Sequence, residues 1–251
     1  MGRRTIFSML IYYGILLSCP VFAQEQPAVK AIDAKADKVL RQMGDYLNTL
    51  EQFSTHLENS IDILMETGQK VQLGRSVDVS IKRPNLLRVD INGDVLSQQL
   101  FYDGKNITLY GKKVNYYATA KAPATIESAM DFAEQSFGLV APAADLIYRN
   151  SYDILTKDIY SGGYVGLSTV SGVECHHLAF RSEETDWQIW IENSKTPLPR
   201  KFVITSKWIA GAPQFTALLS DWNVSSKHQD NLFTFVEPPG AVKIDFLSPE
   251  N

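Results

Sequence analysis

Cysteine is almost absent from this chain of 251 residues, which contains only Cys19 and Cys175. Cys19 falls in an N-terminal stretch that we expect to be removed, so a single cysteine would remain and no internal disulfide could form. The fold must therefore be held together by a hydrophobic core. The predicted mature chain, residues 24–251, is long enough for one large all-β or α+β domain, and we predict a single domain.

A hydrophobic run long enough to cross a membrane is also lacking. The longest apolar stretch, from Ile6 to Leu17, follows Arg3 and Arg4 and is shorter than the roughly 20 residues that a spanning helix needs. This order is typical of a secretory signal peptide, which we predict over residues 1–23 with cleavage after Ala23. The protein would then be exported to the periplasm of a Gram-negative bacterium. A lipoprotein anchored through Cys19 is the less favoured alternative.

Excess positive charge is missing as well. The sequence has 24 lysines and arginines against 28 aspartates and glutamates, a formal net charge of −4. Nucleic-acid-binding domains carry clustered positive charge, so we predict no nucleic-acid partner.

The motifs of the common enzyme classes are absent too. The sequence has no H-E-x-x-H, P-loop or G-x-G-x-x-G motif, and Gly166–Val170 lacks the second glycine of a nucleophile elbow. Cys175 and His177 could share one face of a strand, but no third ligand stands at a recognisable spacing. We therefore predict no catalytic residues, metal or cofactor, and an enzyme using Cys175 and His177 is the weakest hypothesis.

What the sequence does contain is one amphipathic helix followed by many strands. Apolar residues recur at helical spacing over residues 31–51. From Phe53 to Thr119, alternating apolar residues and turn signals such as Asn92-Gly93 and Asp103-Gly104 predict an antiparallel meander.

The second half of the chain begins with a helical segment. Residues 123–149 are rich in alanine and predict two short helices separated by Gly138 and Pro142. Strands are expected again from Ser151 onwards, with turns at 161–163, 171–172, 183–184, 193–194 and 210–213. Near the C-terminus, Leu232–Phe235 predicts a last strand. Val242, Ile244 and Phe246 are then expected to cross back over the sheet edge.

Several strands carry apolar residues on both faces, for example Leu86 to Ile91. One face could pack against a helix while the other lines a cavity, because a long antiparallel sheet tends to curl. A completely filled core is the alternative.

Two stretches resemble the LolA-like superfamily of periplasmic lipoprotein carriers. These are the strand that ends in "KRPNLL", residues 82–87, and the later "LFYDGKNITLYGKKVNYY", residues 100–117. The closing "DNLFTFVEPPGA", residues 230–241, is similar to the end of that family. The stretch 198–224 resembles a family of predicted periplasmic proteins within the superfamily.

The resemblance implies an α+β, mainly antiparallel fold. This is an incomplete, half-open β-barrel with an N-terminal helix and a helical lid covering its concave face. It also implies that Arg83 holds the lid and that Leu87 lies at the cavity mouth. The full set of expected ligand-binding residues is Arg83, Leu87, Val89, Ile91, Phe101, Tyr117 and Trp190, and the lid residues are Met130, Phe132, Phe137 and Leu139.

The principal functional hypothesis is a non-enzymatic carrier whose partner is a lipid or an acylated lipoprotein, with a membrane protein as a further partner. The alternative is an envelope-stress sensor or regulatory module that uses the same fold to bind another protein.

Overall fold

The computed structural model describes residues 31–247, so the predicted signal peptide and Cys19 lie outside the described residues. The described chain forms one sheet of thirteen strands in the order β1-β8-β9-β10-β11-β12-β2-β3-β4-β5-β6-β7-β13. The strands are β1 (Ala31–Ile32), β2 (Gln52–Leu64), β3 (Lys70–Lys82), β4 (Leu86–Gly93), β5 (Ser97–Tyr102), β6 (Asn106–Gly111), β7 (Tyr116–Lys121), β8 (Ile159–Val170), β9 (Val173–Ser182), β10 (Thr185–Glu192), β11 (Pro199–Ser206), β12 (Gln214–Asn223) and β13 (Val242–Ile244). The fold is mainly antiparallel β, as the sequence predicted, and the large sheet does not close on itself.

The helices in the described part of the chain are few. They are α1 (Ala34–Thr49), α2 (Ile126–Phe137), α3 (Ser151–Thr156) and two short 3-10 helices, Ala144–Ile147 and Asp230–Phe233. Helix α1 begins where the Asp33 carboxylate accepts hydrogen bonds from the backbone N–H groups of Lys35 and Ala36, which satisfies two donors that a helix start leaves free. Its apolar stripe is buried against the sheet, which confirms the predicted amphipathic helix.

The predicted meander is confirmed, because β2 to β7 pair antiparallel with their sequence neighbours. The Asp103-Gly104 turn shows why an Asp-Gly pair predicts a turn between two strands. Gly104 has a φ of 86°, a conformation that glycine adopts without steric cost. The Asp103 carboxylate accepts hydrogen bonds from the backbone of Lys105 and Asn106.

Between β7 and β8 lies the helical segment, residues 122–158. Helix α2 ends at Gly138, which has a φ of 66° and caps the helix through its N–H, so the predicted break is confirmed. The expectation of strands from Ser151 is wrong, because α3 occupies Ser151–Thr156. This short helix is formed by tertiary packing. Gly44 of α1 allows close contact, since a Cβ there would lie 2.8 Å from the Tyr152 Cβ.

The predicted turn at 161–163 is also wrong, because these residues belong to strand β8. A Cβ on Gly162 would lie 2.3 Å from the Phe180 ring. The glycine is therefore needed for the packing of a neighbouring ring, and it does not mark a turn.

The end of the described chain is partly as expected. Leu232 and Phe233 lie in a 3-10 helix and Phe235 follows in irregular chain, so the predicted strand is wrong. The predicted return over the sheet edge is confirmed: β13 pairs parallel with β7. At the opposite edge, β1 pairs parallel with β8.

Candidate functional site

The site is built around Arg83, which follows β3 directly. Its guanidinium is buried, with a side-chain exposure of 1%. Nε donates to the main-chain oxygen of Leu50 at 3.0 Å, and Nη2 donates to the main-chain oxygen of Ile147 at 2.7 Å. Nη1 lies 3.4 Å from the Glu127 carboxylate. One side chain therefore joins the end of α1 to α2 and to the first 3-10 helix.

The electrostatics of Arg83 follow from this burial. Removal from water lowers the pKa of the guanidinium, while the negative charges of Glu127 and Glu51 raise it and the positive charge of Arg149 lowers it. A buried arginine remains charged in proteins, so its hydrogen bonds and the carboxylate of Glu127 are needed to offset the loss of hydration. The Phe53 ring lies 5.7 Å from the guanidinium carbon and closes the remaining side.

A small apolar cavity of about 140 Å³ lies between the sheet and the helical segment. Leu87, Val89 and Ile91 of β4 form part of its wall. Its other lining residues come mainly from β2, β3 and β12 and from residues 130–147, and include Leu57, Val77, Val79, Phe215, Leu219, Met130, Leu146 and Ile147. Most of these side chains are aliphatic, so the cavity suits a hydrocarbon.

A larger cavity of about 470 Å³ adjoins the first. The two share Met130, Phe215 and the segment 140–144. Its wall combines apolar residues with carboxylates: Ile61, Leu139, Tyr148, Ile204 and Ile209 lie beside Asp62, Asp131, Glu134 and Asp145. No lysine or arginine is among the described residues that line it. This cavity lies in the size range of small-ligand pockets.

Three lining groups of the larger cavity have perturbed pKa values. The pKa of Asp62 is lowered, mainly by its hydrogen bond with Lys70, whereas the pKa values of Asp145 and Tyr148 are raised. The pKa of Asp145 is raised, first by burial and then by the negative charges of Glu134 and Asp131. Burial is also the main cause of the raised pKa of the Tyr148 hydroxyl. An anionic group entering this cavity would therefore meet a region that already disfavours negative charge.

The structure brings together some of the residues singled out from sequence. Leu87, Val89 and Ile91 line the small cavity, Met130 lines both cavities and Leu139 lines the larger one. Arg83 lines neither cavity, and its guanidinium instead donates to the main-chain oxygens of Leu50 and Ile147.

Three other predicted ligand-binding residues lie on the opposite face of the sheet. Phe101 pairs with Arg88, whose side chain points away from the face that carries Leu87 and Val89, because strand residues alternate. Phe101 and Tyr117 contact Phe235 there, with ring centroids 5.6 and 4.9 Å apart. Trp190 stacks on His177 in a separate small cluster. The expectation that these three residues line the cavity is therefore wrong.

Two predicted lid residues also make different contacts. Phe132 and Phe137 pack edge to face with centroids 5.3 Å apart. Phe137 then stacks on Phe246 at 4.1 Å. These rings join α2 to the chain beyond β13 and line neither cavity.

Cys175 and His177 do not form a reactive pair in this fold. Cys175 is fully buried, and burial raises the pKa of its thiol to about 11, which keeps it protonated. Burial lowers the pKa of His177, which lies against Trp190 and near Gln188. Within residues 31–247, no group of three or more histidine, cysteine or acidic residues is placed to hold a metal ion.

Sequence reasoning missed part of the cavity wall. Phe215 and Leu219 come from β12 and reach the site only because β12 pairs with β2. Their spacing of four residues places them on one strand face. Glu127, the carboxylate partner of Arg83, was missed because the two lie 44 residues apart.

None of the helices in the described residues is long and apolar enough to span a membrane.

Comparison with known proteins gives a family and several distant structural similarities. No curated protein matches the sequence. An uncharacterized conserved protein from Thermus thermophilus is 11% identical, with a TM-score of 0.49 over 84% of this chain and 99% of its own. A LolA superfamily protein from Nitrosomonas europaea is 10% identical, with a TM-score of 0.41 over 80% and 97%.

The structure of the Pseudomonas aeruginosa MucA/MucB complex includes a chain that is 13% identical, with a TM-score of 0.44 over 81% of this chain and 62% of its own. A separate MucB crystal structure gives 12% identity and a TM-score of 0.47 over 81% of this chain. The chain spans 64% of that MucB structure, which is less than two thirds of its length.

The family model described as "Predicted periplasmic protein (DUF2092)" matches residues 36–247. This match covers nearly all of the described chain and agrees with the periplasmic location predicted from the N-terminus. The chain belongs to this family of periplasmic proteins.

Proposed function

We propose that this protein is a non-enzymatic periplasmic carrier that binds the acyl chain of a lipid or lipoprotein between the sheet and the helical segment. The observation that carries the proposal is the pair of adjoining cavities, of about 140 and 470 Å³, beneath a segment held by the buried Arg83. In this proposal the sheet acts as an open half-barrel, the segment 122–158 acts as its lid, and residues 24–251 form one domain.

The energetics favour an acyl chain as the ligand. Each buried methylene contributes about 0.8 kcal/mol, so several methylenes against Val77, Val89 and Leu219 would supply useful affinity without a charged anchor. A longer chain needs more room than the small cavity gives, and the larger cavity provides it once the shared segment 140–144 moves.

The backbone of that shared segment supports movement as part of the mechanism. Gly138 and Ala143 have φ values of 66° and 72°; Gly138 precedes the shared segment 140–144 and Ala143 lies within it. A non-glycine residue in this conformation carries strain. We propose that rotation about these two positions opens the lid and relieves the strain at Ala143.

The carboxylates of the larger cavity indicate which acyl compounds are preferred. In the larger cavity a free fatty acid would bring its carboxylate near Asp131, Glu134 and Asp145, where no positive lining residue offsets it, because Arg75 lines only the small cavity. An ester- or amide-linked acyl chain carries no such charge. We therefore propose that linked acyl chains, as in lipids and lipoproteins, bind more tightly than free fatty acids.

Binding of a fluorescent acyl ester to the purified protein tests the proposal, together with native mass spectrometry of protein isolated from a periplasm. Val89→Phe fills part of the small cavity, so we expect it to weaken probe binding several-fold. Val165→Phe, at a position on β8 that is 59% exposed, is the matched control and should bind as the unsubstituted protein does. No probe uptake and no co-purifying lipid would contradict the carrier proposal.

The regulatory alternative has one observation in its favour. The small cavity has a volume of about 140 Å³, which leaves little room for an acyl chain while Arg83 holds the lid. A module that only binds another protein needs no cavity for a cargo. Such a module would show no uptake of the acyl ester even after Arg83 is replaced.

A further inference from the structure

The two ends of the sheet differ sharply in their exposed apolar residues. Because neighbouring strands are antiparallel, the connections β2–β3, β4–β5, β6–β7, β9–β10 and β11–β12 lie at one end, which we call the tip end. Its exposed large apolar residues are Met65 (49%), Val95 (68%), Val114 (61%), Trp208 (73%) and Ile209 (54%). Among the described residues, the connections at the opposite end, 83–85, 103–105, 171–172 and 193–198, carry none.

Trp208 is fixed in this exposed position. Its indole N–H donates to the main-chain oxygen of Glu183 at 2.9 Å, and the backbone N–H of Lys207 donates to the main-chain oxygen of Glu184 at 3.0 Å. The indole N–H is thus already satisfied within the protein. The ring can therefore enter an apolar layer without burying an unpaired donor, the usual cost of moving a polar group out of water.

The tip end is continuous with the larger cavity. Ile209 is both an exposed tip residue and a lining residue of that cavity. Leu64 of the β2–β3 tip lies close to Gly211 of the β11–β12 connection, so the two tips are neighbours. Val140, which lines both cavities, is 68% exposed. An acyl chain leaving the larger cavity beside Ile209 would emerge among apolar side chains.

The arrangement fits a bilayer better than a protein partner. The apolar residues stand on four separate connections that are spread across the sheet, with Trp208 and Ile209 together on the β11–β12 connection. The same connections carry charges of both signs: the basic residues are Lys112, Lys113 and Lys207, and the acidic residues are Glu66, Asp94, Glu183 and Glu184. A tryptophan together with exposed aliphatic residues is typical of protein surfaces that lie at the membrane interface.

We propose that the tip end docks on a lipid bilayer, with Met65, Val95, Val114 and Trp208 inserted at the interface and the larger cavity open towards the membrane. The proposal rests on the carrier function, because docking would let an acyl chain pass between bilayer and cavity without crossing water.

Flotation with lipid vesicles tests the docking. Two vesicle compositions are used, phosphatidylethanolamine with phosphatidylglycerol, and phosphatidylcholine alone. We expect the full mature protein to float with vesicles, and lipids brominated in the upper acyl chain to quench Trp208. Of the other three tryptophans, Trp187 and Trp190 are buried and Trp222 is half-buried near the end of β12 that lies away from the tip end, so all three should be quenched much less.

The double variant Trp208→Ala and Met65→Ser removes two inserted side chains and should weaken vesicle binding about ten-fold or more. Neither residue lines either cavity, so uptake of a soluble acyl ester should be unchanged. The matched control is Val165→Ser with Leu167→Ser, which are 59% and 56% exposed on β8, away from the tip end. It should bind vesicles as the unsubstituted protein does.

The outcomes separate the two proposals. Loss of vesicle binding in the double variant alone, with normal probe uptake, supports docking by the tip end. If the unsubstituted protein floats with neither vesicle composition, or if the double variant floats as well as the control, bilayer docking is overturned and a protein partner becomes the occupant to consider. If the protein takes up no acyl ester but still floats with vesicles, and the double variant does not float, the carrier function is overturned and the docking proposal stands.

Discussion

Arg83 Nη2 lies 2.7 Å from the main-chain oxygen of Ile147, a residue 64 positions later in the chain. The same guanidinium donates to the main-chain oxygen of Leu50. The segment that carries Ile147 is thus joined to the end of β3 and to the end of α1 through one buried cation. Loss of this side chain should affect both stability and access to the cavities.

Arg83→Leu should lower the free energy of unfolding by about 2–4 kcal/mol, because Glu127 would lose its cationic partner and one buried and one partly buried carbonyl group would lose their donor. Urea unfolding measures this change. Hydrogen exchange should also become faster in residues 126–156 than elsewhere.

Arg149→Leu is the control for that variant. Arg149 pairs with Glu51 at the surface and its side chain is 40% exposed, so the change should cost less than about 1 kcal/mol. Equal losses in the two variants would contradict the fastening role of Arg83.

Adjacent glycines in β8 give a second prediction. Gly162→Ala should lower the free energy of unfolding by about 1–3 kcal/mol, because the new methyl group would overlap the Phe180 ring. Gly163→Ala should have little effect, since no atom lies within 4 Å of the place that its new methyl group would occupy. Thermal unfolding of both variants checks this, and a harmless Gly162→Ala would show that the ring can move aside.

The raised pKa of Asp145 predicts a pH dependence. A carboxylic acid whose pKa is raised in the folded state binds its proton more tightly there than in the unfolded chain. Its contribution to stability therefore falls as pH rises from its ordinary pKa of 3.8 through the higher folded value. Asp145→Asn should be more stable than the unsubstituted protein at neutral pH.

The measurement for Asp145 is the difference in unfolding free energy between the two proteins from pH 4 to pH 7. That difference should grow with pH across the window above 3.8. Taking the difference removes the opposite contributions of Asp62 and Asp90, whose pKa values are lowered. A constant difference would contradict the raised pKa.

The stacked pair Phe137 and Phe246 gives a fourth prediction. Phe246→Ala removes a ring 4.1 Å from that of Phe137, a contact that contributes about 1 kcal/mol beyond area burial. We expect faster hydrogen exchange at the C-terminal end of α2. Leu247→Ala, at a residue that is 76% exposed, should leave this exchange unchanged. If both variants leave it unchanged, the C-terminal chain does not restrain α2.

The sequence predicted the fold best where local patterns and tertiary packing favour the same structure. Helix α1 and the β2–β7 meander have clear periodicity and turn residues, and both are confirmed. The predicted turn at Gly162 is wrong because the glycine makes room for the Phe180 ring. The strand predicted from Ser151 is wrong because α3 packs against Gly44 of α1. Neither influence is visible in local sequence.

Some of the residues predicted for the candidate site line a cavity and others lie elsewhere. Leu87, Val89 and Ile91 alternate along β4 and line the small cavity. Phe101, Tyr117 and Trp190 were chosen for their aromatic character, which does not tell which face of the sheet a residue occupies. The strand register does, and it places all three on the opposite face.

Strands β1 and β13, two and three residues long, lie along the two outer edges of the sheet. An open sheet offers unpaired backbone groups at its edges, where another molecule can add a strand and start aggregation. Strand β1 pairs with only Ser161 and Gly162 of β8, and β13 pairs with Tyr116–Ala118 of β7, so most of the outer edge of β8 has no strand partner among the described residues. The outer edge of β8 from Tyr164 onwards could therefore accept a strand from another molecule, whereas β13 already occupies half of the outer edge of β7.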